Sequence, residues 1–168
     1  MIILEDTTPE GLYKKAFLKV YELSDLEGDP KNYKDTSAVL TLCNYKQDRG
    51  VVWDEKGFKS TFDYTQYIKE GSEQIKLEVE HYNEEFIETG KLESFLDYFK
   101  NDKTTKKGLI NLWDNDYLDP VKPFPCLAYV WFRKMGDTLN MNCHMRANDA
   151  YKILIMDLHV GTSLHEYV

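Results

Sequence analysis

Residues 125–157 read PCLAYVWFRKMGDTLNMNCHMRANDAYKILIMD, and the fold of the chain turns on how this stretch pairs with itself. Residues 126–134 are rich in aromatic and β-branched types, Met135-Gly136-Asp137 supplies a Gly-Asp turn, and residues 138–145 alternate apolar and polar side chains, so the sequence predicts a β-hairpin. Cys126 then heads one strand and Arg146 ends its partner. In an antiparallel pair with a short turn those two ends lie side by side, which sets a guanidinium beside a thiol. A neighbouring cation favours the nucleophilic thiolate. Two aspartates, Asp149 and Asp157, follow the arginine.

The Pro-Cys pair, the aromatic strand, the turn and the segment MRANDAY together resemble the nucleophile region of thymidylate synthases and, more closely, of deoxycytidylate hydroxymethylases. Members of that family carry Pro-Cys, a strand pair, an Arg-Ser-x-Asp segment, and a pyrimidine-reading residue eight positions after its aspartate. On this chain the arginine is Arg146, Ala147 replaces the serine, the aspartate is Asp149 and the reading position is Asp157. Uracil-specific members have asparagine there and cytosine-specific members have aspartate. The physical reason stands apart from the resemblance. Uracil shows a ring N–H beside a carbonyl, which one amide matches with both its groups; cytosine shows an amino donor beside a ring nitrogen, and an acceptor-only carboxylate suits the amino group. Read without the resemblance, Asp157 is an ordinary helix N-cap or a surface charge.

Bulk properties bound the answer. At 168 residues the chain is near the prior of about 100 to 200 per domain, so one domain over 1–168 with a sizeable core is expected. A formal charge of −8 gives no general electrostatic grip on a nucleic acid, although a local basic cluster can still hold a nucleotide. Aromatic content of 14%, with 12 tyrosines, is that of a folding chain. Cys43, Cys126 and Cys143 are a sparse, odd set without metal-ligand spacing, which suits a reducing cytosol. Neither a signal peptide, a membrane-length apolar run nor an internal repeat is legible, and a cytoplasmic protein is expected.

Towards the N-terminus, Met1–Leu4 reads as a short strand or a tail. Thr7-Thr8-Pro9-Glu10 reads as a capping box opening a helix striped by Leu12, Ala16, Phe17 and Val20 and ending near Ser24. Residues 25–36 are turn-rich. Lys34 lies in that loop, where the resemblance implies a phosphate-contacting arginine; a solvated loop lysine fits as well. Residues 38–44 and 51–60 read as strands around the polar turn between them, with Cys43 as a buried small hydrophobe. A long helix is expected from about Phe62 to Glu88. Ile75, Val79, Tyr82 and Phe86 form its apolar face, and Glu78 falls about 60° from the middle of that face. A carboxylate there is costly unless paired. The segment EVEHY, residues 78–82, also resembles the family helix whose first glutamate moves protons around the pyrimidine; Glu78 takes that position, and His81 replaces an aromatic expected beside the folate. An exposed helical glutamate is the competing reading.

Leu92, Phe95, Leu96 and Phe99 give a second, short amphipathic helix, and 108–113 a strand. Lys106 and Lys107, at its entry, occupy the positions of two arginines that in the family reach across a dimer to the other subunit's phosphate. Lysine neutralises phosphate as a point charge without the bidentate fork; solvated turn lysines are the alternative. Prolines 120, 123 and 125 pin the approach to Cys126 at low entropic cost. Strand 127–133 is apolar on both faces, so neither face should meet water. That pattern fits back-to-back packing of two sheets in a homodimer, as the resemblance implies, or a monomer with helices on each face. Past Asp149 come an apolar segment and a final helix interrupted by Gly161, with His159 and His165 structural or exposed.

Taken together, the resemblance implies an α+β, thymidylate synthase-like mixed sheet packed with helices. It implies a thiolate of Cys126, stabilised by Arg146, adding to a pyrimidine nucleoside monophosphate. Glu78 would relay protons, Asp149 would brace the site, and Arg146, Asp157, Lys106, Lys107 and Lys34 would hold the nucleotide. Methylenetetrahydrofolate is the implied one-carbon cofactor. Family members continue past the base-reading helix with a sugar-binding His-x-Tyr and a folate-closing segment, so a C-terminally shortened member is expected. Two function classes follow: a cytidylate C5 transferase, and a catalytically reduced nucleotide-binding or sequestering homologue.

Overall fold

The N-terminal run IILED forms β1, Ile2–Asp6, and the chain turns directly into α1, Pro9–Leu23. In the computed structural model, residues 1–23, 36–44, 51–54, 57–60, 80–102, 106–113, 125–150 and 153–168 are described, with 51–54 and 57–60 as backbone alone. Thr8 caps α1: its hydroxyl accepts the N–H of Gly11 at 3.1 Å and its carbonyl that of Leu12 at 3.0 Å. Pro9 follows in the first turn, where a missing N–H costs nothing. The cap thus falls one residue after the Thr7 expected from a capping box, and Glu10 is engaged elsewhere.

β2, Ala38–Leu42, runs parallel to β1 with Ile2 opposite Ala38 and Asp6 opposite Leu42, so β1, α1 and β2 form a strand-helix-strand crossover. Cys43 is exposed rather than buried; it lies past the last paired residue of a two-stranded sheet and contributes its N–H to the Asp6 carbonyl at 2.9 Å. Residues 51–60, expected as one strand, are two: β3, Val51–Asp54, and β4, Gly57–Ser60, pair antiparallel with Asp54 opposite Gly57. Two intervening residues are enough to close a hairpin, and β2 is left to β1.

Residues 80–83 are helical and pass into a π-helical turn, Glu84–Glu88, closed by the Thr89 N–H on the Glu84 carbonyl at 3.3 Å. The earlier part of the expected long helix, 62–79, lies outside the described residues. α2, Lys91–Asn101, buries Leu92, Phe95 and Phe99, the face its sequence period predicts. β5, Leu109–Asn111, β6, Leu127–Met135, and β7, Thr138–Met145, make an antiparallel sheet in that order. Met135 faces Thr138 across Gly136-Asp137. Gly136 has φ 60°, a conformation that a two-residue hairpin loop needs at its first central position and that glycine adopts without strain.

The last helix, α3, Leu154–Tyr167, runs through Gly161 without a break. A methyl group at Gly161 would sit 3.5 Å from Met141 Cε, so tertiary packing on β7 overrides the weak propensity of one glycine. α3 also packs against α1 and β3, and α2 against β5 and the π-helical turn. The core joins Tyr82, Phe86, Phe95, Val130, Phe132, Met156 and Leu164. Its centre is aromatic, with the Phe95 and Phe132 rings 5.1 Å apart and tilted.

The arrangement is α+β. Among the described residues its strands fall into three small sheets rather than one mixed sheet. β6 is also covered on one face only. Val130 and Phe132 are inaccessible, whereas Tyr129 is 38% exposed and Leu109, opposite Trp131 on β5, is 49% exposed. Among the described residues the helices reach one side of the sheet; aromatic character on the other side reflects β propensity as well as burial.

Candidate functional site

The open end of the β6–β7 hairpin gathers Cys126, Arg146, Asp149 and Asp157, four of the eight site residues singled out from the sequence. Leu127 pairs with Met145, and one step further out the Arg146 N–H donates to the Cys126 carbonyl at 2.9 Å. The expected opposition of cysteine and arginine is therefore present in the backbone. Its register depends on a β-bulge. From Met135 down to Tyr129 the ladder is regular, with Tyr129 opposite His144; between Tyr129 and Leu127 it slips by one residue. A ladder continued without the slip would set Cys126 opposite Ala147. The extra residue, Ala128, brings Arg146 there instead, and bulges of this kind re-aim the residues beyond them.

Two bonds fix this end of β6 from the neighbouring strand. The Ala128 carbonyl accepts the Leu112 N–H at 2.9 Å, and the Pro125 carbonyl accepts Trp113 Nε1 at 3.2 Å. Pro125 itself is buried, while Cys126 and Arg146 are exposed. The approach to the thiol is thus anchored by main chain, and both side chains stay accessible to a solute.

Asp157 stands in the first turn of α3, half-buried. Tyr82 Oη donates to its Oδ1 at 2.6 Å, and Asn148 Nδ2 donates to its Oδ2. Asn148 lies two residues beyond Arg146, so the carboxylate belongs to the same end of the hairpin as Cys126. These two donors engage both oxygens of the carboxylate. Asp149 is exposed; its carbonyl accepts the N–H groups of Ile153 at 3.0 Å and Leu154 at 3.1 Å, which ties the Arg146–Asp149 segment to the start of α3.

Cys143 pairs with buried Val130 on the covered side of the sheet. It keeps open surface, yet desolvation first and the negative charge of Asp157 second push its thiol pKa up. It is the less nucleophilic cysteine of the hairpin on those grounds.

Lys106 and Lys107 are exposed and lie away from this end. The Lys106 carbonyl accepts Trp131 Nε1 at 3.1 Å, and the Gly108 carbonyl accepts the Phe132 N–H at 2.7 Å. That places the lysines beside Arg133, about seven residues from Cys126 or roughly 20 Å along a strand rising about 3.3 Å per residue. Within one chain they do not join the cysteine. Glu78 and Lys34 lie outside the described residues. His81, at the expected folate-facing position, sits 3.9 Å from Glu84.

Sequence reading missed Tyr82 as a polar participant, since its spacing marks only an apolar stripe, and missed Asn148 altogether. Both histidines of α3 are structural: His159, 1% exposed, meets Glu10 of α1 at 2.9 Å, and His165 Nε2 lies 3.0 Å from the Leu139 carbonyl. Among the described residues no His, Cys, Asp and Glu cluster could hold a metal ion, and no helix is long and apolar enough to cross a membrane. No protein-family model matches the chain, and no curated protein matches it.

Proposed function

We propose that the chain is a C5 one-carbon transferase of the thymidylate synthase type acting on a cytidylate. The observation that carries this reading is the opposition of Cys126 and Arg146, held at 2.9 Å through the main chain, with Asp157 anchored at the same end of the hairpin. In the proposed reaction the Cys126 thiolate adds to C6 of the pyrimidine and Arg146 stabilises that thiolate before attack. Addition makes C5 a carbon nucleophile, and its hydrogen becomes exchangeable. Asp157 accepts from the cytosine amino group, Asp149 braces the backbone of the site, and Glu78 relays protons.

Methylenetetrahydrofolate, the co-reactant implied by the resemblance, would supply the one-carbon unit. The described residues fit it poorly: His81 beside Glu84 is a polar pair rather than an apolar ring platform. Lys106 and Lys107 serve the phosphate only by reaching into a second copy. The half-open face carrying Tyr129, Trp131 and Leu109 supports that homodimer.

The second reading is a nucleotide-binding homologue with reduced catalysis, favoured by Ala147 in place of a phosphate-binding serine and by His81. One experiment separates them. Incubation with dCMP tritiated at C5, with and without methylenetetrahydrofolate, should release label, and Cys126→Ser should abolish the release. No release under either condition removes the enzymatic claim; tight dCMP binding by calorimetry that survives Cys126→Ser then supports the binder.

A further inference from the structure

The two carboxylate oxygens of Asp157 are each held by a different part of the chain. Tyr82 comes from the helical segment before the π-helical turn and is 5% exposed, so its hydroxyl is delivered from the core. It donates at 2.6 Å to Oδ1. Asn148 comes from the segment that carries Arg146 and donates to Oδ2. The same Asn148 amide group lies 3.4 Å from Met145 Sδ, which fixes its rotation against the end of β7. A carboxylate on a free side chain turns about its terminal torsion, which is broad. Clamped through both oxygens, it keeps one orientation.

We propose that Tyr82 and Asn148 are positioning residues that set base choice, by locking the carboxylate of Asp157 in the orientation that accepts from an exocyclic amino group. The inference rests on the cytidylate reading above and extends it to two residues that touch the carboxylate rather than the nucleotide. Discrimination then comes from geometry as well as charge. Uracil, whose carbonyl replaces the amino group, would set an acceptor against a carboxylate that cannot turn away. A loosened carboxylate would turn to relieve that clash, and uracil would be rejected less.

The test is the ratio of affinities for dCMP and dUMP, measured by calorimetry on the full chain for wild type, Tyr82→Phe and Asn148→Ala. Tyr82→Phe keeps the ring in the core and removes only the hydroxyl. Asn148 is exposed, so its variant tests the clamp without touching the core should Tyr82→Phe fold poorly. Each variant is expected to narrow the dCMP preference by roughly three- to tenfold, the range of one hydrogen bond. A merely structural role would weaken both nucleotides alike and leave the ratio where it was; that result overturns the inference while the cytidylate reading stands. If the wild-type chain binds neither nucleotide, the cytidylate reading itself fails, and the clamp falls with it.

Discussion

Arg146 faces Cys126 because Ala128 is an extra residue in β6: the slip between Tyr129 and Leu127 sets the Arg146 N–H on the Cys126 carbonyl at 2.9 Å. Cys126 is exposed, whereas burial desolvates the Cys143 thiol and Asp157 adds a negative charge beside it, so the two should differ in reactivity.

Alkylation with iodoacetamide at neutral pH, followed by peptide mass spectrometry, should label Cys126 first and Cys143 last. The Cys143 rate should keep climbing into alkaline pH, as a raised thiol pKa requires. Arg146→Ala should slow Cys126 by roughly fivefold or more, as loss of an adjacent cation does. Equal rates at Cys126 before and after that substitution would show that the guanidinium does not act on the sulfur.

Asp6 closes β1 with its carboxylate on the N–H groups of Thr7 at 2.7 Å and Thr8 at 3.1 Å, and Lys15 Nζ at 2.8 Å. Lys15 first, then those N–H groups, lower its pKa from 3.8 to about 2. A carboxyl lowered on folding stabilises the native state above its ordinary pKa and loses that contribution as pH falls through the lowered one. Asp6→Asn should therefore reduce the urea midpoint at neutral pH, with the gap to wild type closing between about pH 4 and 2. Gly11→Ala should destabilise as well, although alanine is the better helix former: a Cβ there would stand 2.5 Å from Asp6 Oδ1.

His159 and Glu10 join α3 to α1 across 2.9 Å in a nearly dry setting. Removing one partner strands the other, so Glu10→Ala is expected to cost about 1–3 kcal/mol in denaturant unfolding. A double-mutant cycle with His159→Phe should show clear non-additivity. Additive losses would mean that the pair contributes no coupling.

The two faces of β6 should respond oppositely to truncation. Phe132→Ala, in the core, should cost about 3–5 kcal/mol. Tyr129→Ala and Trp131→Ala, on the half-open face, should change monomer stability far less. Tyr129→Glu should instead lower the sedimenting mass, and a wild-type chain that sediments as a monomer at micromolar concentration would remove the homodimer.

What could be read from the sequence was local. The hairpin was legible because Gly136-Asp137 supplies its turn and the flanking periods agree; α1 was legible because Leu12 and Ala16 mark its face and Pro9 its start. The 51–60 run misled because Asp54-Glu55-Lys56-Gly57 carries a weak turn signal inside an apolar context. Gly161 misled because burial of Leu154, Met156, Val160 and Leu164 on α3 outweighs one poor helix former. The site was half legible. Cys126, Arg146 and Asp157 lie close in sequence, but Tyr82 reaches Asp157 across 75 positions, and no periodicity reports a contact of that separation. Nor does any residue type announce the bulge: alanine fits a regular strand as readily as an irregular one.

That irregular alanine makes the pairing at the site tolerant of its own loss. Deleting Ala128 would leave every pairing from Met135 to Tyr129 intact and straighten the ladder beyond it, with Leu127 still opposite Met145 and Cys126 still opposite Arg146. The surplus residue is thus taken up before the reactive end, so a relative lacking it would keep cation and thiol confronted.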